Sequence, residues 1–424
     1  MPVEQLPIPP EADPAGQTRP EPGTRAPSPA LAAYLARMRR QRRWYLGAVA
    51  ALIAGVVVLV SVVMSTSEIA HAHLHTTAAP PPAIQPGAPA AAQTVAWTTP
   101  DTPALSQPVW SGTVVTYSAH TVTGRDGRTG AATWTYTRTD ATVCQVAQSQ
   151  GKTMAFYSRN GDCDEIDAFD TRTGARAWSR TLFSNGMLIV GHPTYQVSQL
   201  TVLLVTDSLV QAIDPSTGYD RWHFAQPAGC HTDGAALGTT GVLIGQRCGD
   251  GDWVLLRDAY AGDDSTTSTK WRVRGPRAEP VAASDLIAAL DVSTGTLLTY
   301  DPAKGTARPV VRLTPRPASG DGLTTVPAAG ASLVFVDGTC YSIGSASGTQ
   351  LWSQPLTGPP TLAGSQLIGP TAEGVRALDP ATGATISSYP VRGVRAGSTV
   401  YPIGSGFVLG PAQGSAATGT QVTR

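Results

Sequence analysis

The chain has 424 residues, with 30 Lys and Arg against 30 Asp and Glu and hence no formal net charge. Lysine occurs only at Lys152, Lys270 and Lys304, a balance that points neither to nucleic acid nor to a strongly acidic partner. No Gly-x-Ser-x-Gly elbow, His-Glu-x-x-His, phosphate-binding Gly-x-x-x-x-Gly-Lys or zinc pairing of cysteines occurs, so no locally encoded catalytic centre is expected.

Residues 1–30 carry many prolines with Glu4, Glu11, Asp13 and Glu21 and almost no large apolar side chains. They cannot bury enough surface to order themselves and read as a disordered cytoplasmic tail. Residues 31–45 form a basic juxtamembrane segment, with Arg37, Arg39, Arg40, Arg42 and Arg43 ahead of the interfacial aromatics Trp44 and Tyr45; its arginines suit anionic headgroups. Leu46 to Met64 is uncharged and apolar, and at about 1.5 Å per residue it covers most of a hydrocarbon core of roughly 30 Å. The other flank offers only Glu68 and histidines, so the positive-inside rule places the N-terminus in the cytoplasm and the rest of the chain outside the cell membrane. A cleaved signal peptide ending near Ala70-His71-Ala72 is the rival reading; the long tail before the basic cluster argues for a retained, single-pass anchor.

Residues 65–94 are an Ala/Pro-rich stalk, including Pro80-Pro81-Pro82, expected to be extended and semi-rigid and to hold the C-terminal part of the chain off the membrane. His71, His73 and His75 alternate within it; three imidazoles so close suit a transition metal, but they are read as solvated stalk residues and no metal is assigned.

Over residues 95–412 one turn recurs. Asp170-Thr-Arg-Thr-Gly174-Ala-Arg-Ala-Trp178 returns as Asp214-Pro-Ser-Thr-Gly218-Tyr-Asp-Arg-Trp222. Weaker copies are Asp126 with Gly130 and Trp134, Asp258 with Gly262, Asp301 with Gly305, Gly348 with Trp352, and Asp379 with Gly383. Successive glycines lie 44, 44, 44, 43, 43 and 35 residues apart. A period of that size, with short alternating apolar segments on either side of each turn, is that of a propeller blade, a four-stranded sheet that buries its faces only against its neighbours. Asp opens each turn because its carboxylate accepts the next backbone N–H groups, and Gly closes it because the chain there needs positive φ. Trp supplies a flat surface for packing between sheets. The expected fold is all-β: a seven-bladed β-propeller of four-stranded antiparallel blades, preceded by one transmembrane helix. An eight-bladed ring is the alternative, because the extra apolar segments Val400–Ile403 and Phe407–Leu409 precede the C-terminal tail, residues 413–424. A C-terminal strand completing the first blade would close the ring and cover an open sheet edge.

Cys144 and Cys163, and Cys230 and Cys248, occupy similar places between successive turns, 19 and 18 residues apart. Two local disulfides between neighbouring strands are expected, which places the propeller in an oxidising compartment. Cys340 has no evident partner and reads as a buried small hydrophobe. Asp250, Asp252, Asp258, Asp263 and Asp264 supply hard oxygen ligands without the loop spacing of an EF-hand, and turn chemistry accounts for them better.

At Ala168, Asp170, Gly174 and Trp178, and again at Ala212, Asp214, Gly218 and Trp222, the chain resembles the quinoprotein-type (PQQ-like) β-propeller repeat; Ala377, Asp379 and Gly383 match it with Ser387 in place of Trp. The resemblance covers roughly residues 95–410. It implies either a redox enzyme holding pyrroloquinoline quinone or a non-catalytic envelope scaffold similar to the outer-membrane-protein assembly lipoprotein. The redox members seat their quinone on a disulfide between adjacent cysteines and hold calcium with Glu, Asn and Asp. Here no two cysteines are adjacent and Asn occurs only at Asn160 and Asn185. The expectation is a binding or scaffolding module without cofactor, whose partner is an envelope protein or cell-wall component on the propeller face; loops from every blade converge there. The alternatives are an envelope enzyme, either a quinone-dependent dehydrogenase or a hydrolase at the channel mouth, and a ligand sensor.

Overall fold

The computed structural model describes residues 28–66, 68–85, 87–104, 111–159, 161–184, 187–188, 193–198, 200–258, 269–308, 311–318, 323–328, 330–411 and 420–423. The tail expected over residues 1–30 lies outside these as far as residue 27, as do Asn160, Asn185, Gly262, Asp263, Asp264 and residues 412–419. The chain divides into two compact units, Met1–Ala70 and His71–Arg424. In the first, Pro29–Thr66 is one helix, long and apolar enough to cross a membrane.

The second unit is a β-propeller of eight blades, not seven. Each blade is an antiparallel meander of four strands, and blade 1 carries a fifth, Ala72–His75, on the outer side of Ala132–Arg138. Among the described residues, the turns at Gly130, Gly174, Gly218, Gly305, Gly348 and Gly383 each join the third and fourth strands of one blade. The eighth blade has no such turn, because its strands come from both ends of the chain. Thr399–Ile403, Gly406–Gly410 and Thr420–Thr423 supply three, and Val95–Thr99 pairs with Thr420–Thr423 as the fourth. Ring closure therefore lies in the last blade rather than the first, where Thr102–Pro103 already provides an inner strand.

Among the described residues the core is divided between the blades. Eight apolar clusters lie one at each junction between neighbouring blades. This follows from strands such as Val202–Val205 and Leu209–Ile213, buried at every position. A strand sandwiched between two other sheets needs apolar residues on both faces.

The turn explains its own residues. In blade 2, Asp170 Oδ1 accepts the N–H of Arg172 and of Thr173 at 3.1 and 3.0 Å, and Gly174 donates to the Asp170 carbonyl at 2.8 Å. Gly174 has φ of 74°, a region costly for other residues. It is also crowded: a Cβ there would lie 2.6 Å from the Trp134 side chain of blade 1. Three outer-strand tryptophans thus dock on the glycine of the next blade, and their indole N–H groups cap that turn. Trp134 donates to Thr171 O at 2.9 Å, Trp178 to Pro215 O at 3.2 Å and Trp352 to Pro380 O at 3.1 Å. Trp222 is fully buried, and the turn after it falls within residues outside those described.

Two further tryptophans do the same. Trp271 donates to Pro302 O at 3.0 Å and covers Gly305; Trp97 donates to Gly127 O at 3.1 Å and covers Gly130. Trp271 escapes the spacing rule because it lies nine residues past Gly262. Trp97 escapes it because its strand belongs to the last blade. Where the outer strand has no Trp, as at Val311–Arg312, the next turn glycine, Gly348, has open space beside it.

The Ala/Pro-rich segment is not a free stalk from residue 71 onward. Ala72–His75 is strand, and the chain then runs along the turns as a strap. Thr77 donates to Thr173 O at 3.0 Å, Gly87 to Gly404 O at 2.8 Å and Ala90 to Ser405 O at 2.7 Å. Arg172 holds Pro81 O at 3.1 Å. Ile84 joins the apolar cluster between blades 8 and 1, and buried Pro89 accepts from Tyr389 Oη at 3.4 Å. Prolines suit this path: they hold the chain extended, lack N–H groups that would need partners, and fill grooves.

Candidate binding surface

An antiparallel meander sends alternate connections to opposite faces. The glycine turns and the strap share one face. The other carries the loops between second and third strands and the crossovers to the next blade. On this second face, where blade 1 meets blade 2, a cavity of about 440 Å³ is lined by His120, Asp140, Thr142, Cys144, Ser158 and Arg159, among others.

Beneath it lies an ionic network. Arg138 ends the outer strand of blade 1 with its side chain 1% exposed, and it reaches Asp140 at 2.8 Å, Glu165 at 2.6 Å and Asp167 at 3.6 Å. Its guanidinium stacks over the Tyr157 ring at 5.0 Å. Tyr136 donates to Asp167 at 3.0 Å, and Arg176 pairs with the same carboxylate. Arg159 bonds both Asp140 and Glu165 at 3.1 Å. Burial opposes the Arg138 charge, but Asp140 and Glu165 outweigh it and raise its pKa. The hydrogen bond from Arg138 in turn holds Asp140 below the usual carboxylate range. Burial pushes the nearby Asp164 up, with Glu165 and Asp162 adding to the effect. Three cations thus meet three carboxylates. The network fixes the crossover between blades 1 and 2 and offers the cavity a partly exposed guanidinium, Arg159, beside a carboxylate. Such a wall presents charged and hydrogen-bonding groups to whatever enters the cavity.

The cysteines pair as Cys144–Cys163 and Cys230–Cys248. The first joins the inner and third strands of blade 2 at the cavity. The second joins directly opposed residues of the two inner strands of blade 4, with Cα atoms 4.1 Å apart. Cys340 is a buried thiol, pushed up to about 12 by burial. His71 Nδ1 lies 3.3 Å from Thr139 Oγ1, and His73 and His75 are exposed on the added strand. Asp250 accepts the Trp253 indole N–H at 3.3 Å. Among the described residues no three His, Cys, Asp or Glu side chains gather as a metal site. The residues present do not fit the quinone site of the redox propellers: both disulfides join cysteines far apart in sequence.

The Arg138 network was not foreseen from sequence. Its members lie on strands and crossovers of two blades, and their only local signal is the acidic run Asp162 to Glu165.

The family model for the outer membrane protein assembly factor BamB matches residues 151–354, which run from blade 2 into blade 6. BamB from Moraxella catarrhalis is 18% identical over 78% of this chain and 98% of its own, with a TM-score of 0.49. The quinohemoprotein alcohol dehydrogenase ADHIIG from Pseudomonas putida HK5 is 15% identical over 78% and 76%, with a TM-score of 0.49. The computationally designed Ika8 protein is 14% identical over 77% and 98%, with a TM-score of 0.52. No match was found among curated proteins. Likeness at these identities is likeness of fold. The recurring Asp–Gly–Trp turn, the eight four-stranded blades and the matched family model together identify a PQQ-like β-propeller that resembles BamB.

Proposed function

We propose that this protein is a single-pass, membrane-anchored propeller that works outside the cytoplasm as a binding or scaffolding module of the cell envelope. The observation that carries the reading is the union, in one chain, of an anchor-grade helix flanked by arginines and a propeller braced by two disulfides. Disulfides favour an oxidising compartment, and the arginine flank favours a cytoplasmic N-terminus. In this reading residues 1–30 are the cytoplasmic tail, residues 46–64 span the membrane, and the partner is an envelope protein or cell-wall component seated over the cavity between blades 1 and 2. A rigid ring with a charged, partly open wall suits protein recognition more than turnover.

The test has two arms. A photocrosslinker in place of Ser158 or Arg159, in intact cells, should give one discrete adduct that the same group at exposed Ile386 on blade 7 does not. The purified chain, given quinone, calcium and common alcohols or sugars, should not reduce an artificial electron acceptor. Quinone-dependent dye reduction, or labelling that is the same at both positions, would refute the scaffold reading.

A further inference from the structure

The outermost strand of blade 4, Thr269–Arg274, is an open sheet edge of unusual charge for so neutral a chain. Lys270, Arg272 and Arg274 are exposed, while Trp271 between them is buried. Lys270 Nζ holds the Thr240 carbonyl at 2.7 Å. Arg272 and Arg274 instead lie over the face of Trp253, with guanidinium carbons 4.3 and 5.7 Å from the ring centroid. Among the described residues neither is ion-paired to a carboxylate. A guanidinium stacked on an aromatic ring keeps its N–H edge free for an oxyanion.

The backbone is open at the same residues. Gly275 donates to the Asp252 carbonyl of the neighbouring strand at 3.1 Å. Antiparallel pairing alternates, so the N–H and C=O groups of Arg272 and Arg274 face away from the sheet. Charge on an edge strand commonly serves only to discourage unwanted pairing. Here, however, the molecule shows a blade edge accepting a further strand: Ala72–His75 pairs antiparallel with Thr135–Arg138 of blade 1.

We propose that the outer edge of blade 4 docks an extended acidic peptide, which adds as a fifth strand and sets alternate carboxylates against Arg272 and Arg274. Side chains on one face of a strand repeat at about 6.8 Å, the spacing of the two arginines. A lipid surface or a polyphosphate answers the charge but not the outward row of backbone donors and acceptors; a peptide strand answers both. The proposal goes beyond the scaffold reading and depends on neither the anchor nor the compartment.

The test uses the full-length chain in detergent and a fluorescent heptapeptide of alternating Glu and Val. Saturable binding is expected. It should weaken about tenfold or more, the loss of roughly one charge-assisted pair, for the same peptide N-methylated at alternate positions and for the Arg272→Glu, Arg274→Glu double variant. That variant should instead bind the corresponding Lys and Val peptide, which also shows that it is folded. Equal binding of the N-methylated peptide would reduce the site to charge attraction and overturn the proposal. So would binding unchanged by the charge reversal, or binding of polyphosphate or anionic vesicles without binding of the peptide.

Discussion

Arg138 joins two blades because its guanidinium has nowhere else to go: it is shut in by the Tyr157 ring and by Asp140, Glu165 and Asp167. Replacing it with Met would keep most of the volume and leave three carboxylates without their shared cation. The expected loss is about 3–5 kcal/mol, the usual range when one member of a buried pair is removed, read as a lower denaturant midpoint. An unchanged midpoint would mean that the network is solvated. The same network sets a pH dependence. Asp140 is held below its ordinary value of 3.8 by the Arg138 hydrogen bond, so its contribution is complete above that value and fades as pH falls through the depressed one. Asp140→Asn should therefore be less stable than the parent at pH 7, with the gap closing as the pH is lowered below about 4. Cys340 is the opposite case, a thiol kept protonated by burial with its pKa pushed up to about 12. At pH 8 it should resist iodoacetamide in the native protein and react at once in denaturant. Its role as a small core residue was legible from its apolar setting, whereas the Arg138 network was not, because no spacing rule connects residues on separate strands of two blades.

At five blade junctions among the described residues the outer strand and the next blade's turn form one joint, Trp on Gly, and the joint is why the repeat could be read in the first place. Asp, Gly and Trp sit at fixed offsets because one turn must be closed by the Asp carboxylate, bent at Gly and covered by the preceding blade. What the offsets could not show is the joint made at another spacing, such as Trp271, nine residues past Gly262, or Trp97 from the far end of the chain. The strap escaped for a related reason: an Ala/Pro-rich composition predicts an extended chain but not the surface it lies against. Trp134 is fully buried, covers Gly174 and caps Thr171. Trp134→Ala should lower stability by about 3–5 kcal/mol, as expected for a large core truncation. A thermal midpoint that barely moved would show that the indole serves a surface role instead.

At the scale of the whole ring, stability depends on one seam. The four meander strands of blades 1 to 7 each come from consecutive chain, but blade 8 exists only when Val95–Thr99 meets Thr420–Thr423. Seven turns were countable in the sequence and the eighth blade was legible only as an alternative, because it is closed by two segments with nearly the whole chain between them. A repeat ring held by nearest-neighbour contacts is expected to open first where its ends meet. Val95 and Thr423 are Cα partners across that seam, so a Val95→Cys, Thr423→Cys pair is placed to form a third disulfide. Closing so long a loop should add about 2–4 kcal/mol, seen as a higher unfolding midpoint under oxidising conditions that is lost on reduction. Peptide mapping should join the two new cysteines while Cys144–Cys163 and Cys230–Cys248 stay intact. If the new thiols remain fully alkylatable in the folded protein, the chain ends do not share a blade and the eight-bladed closure is wrong.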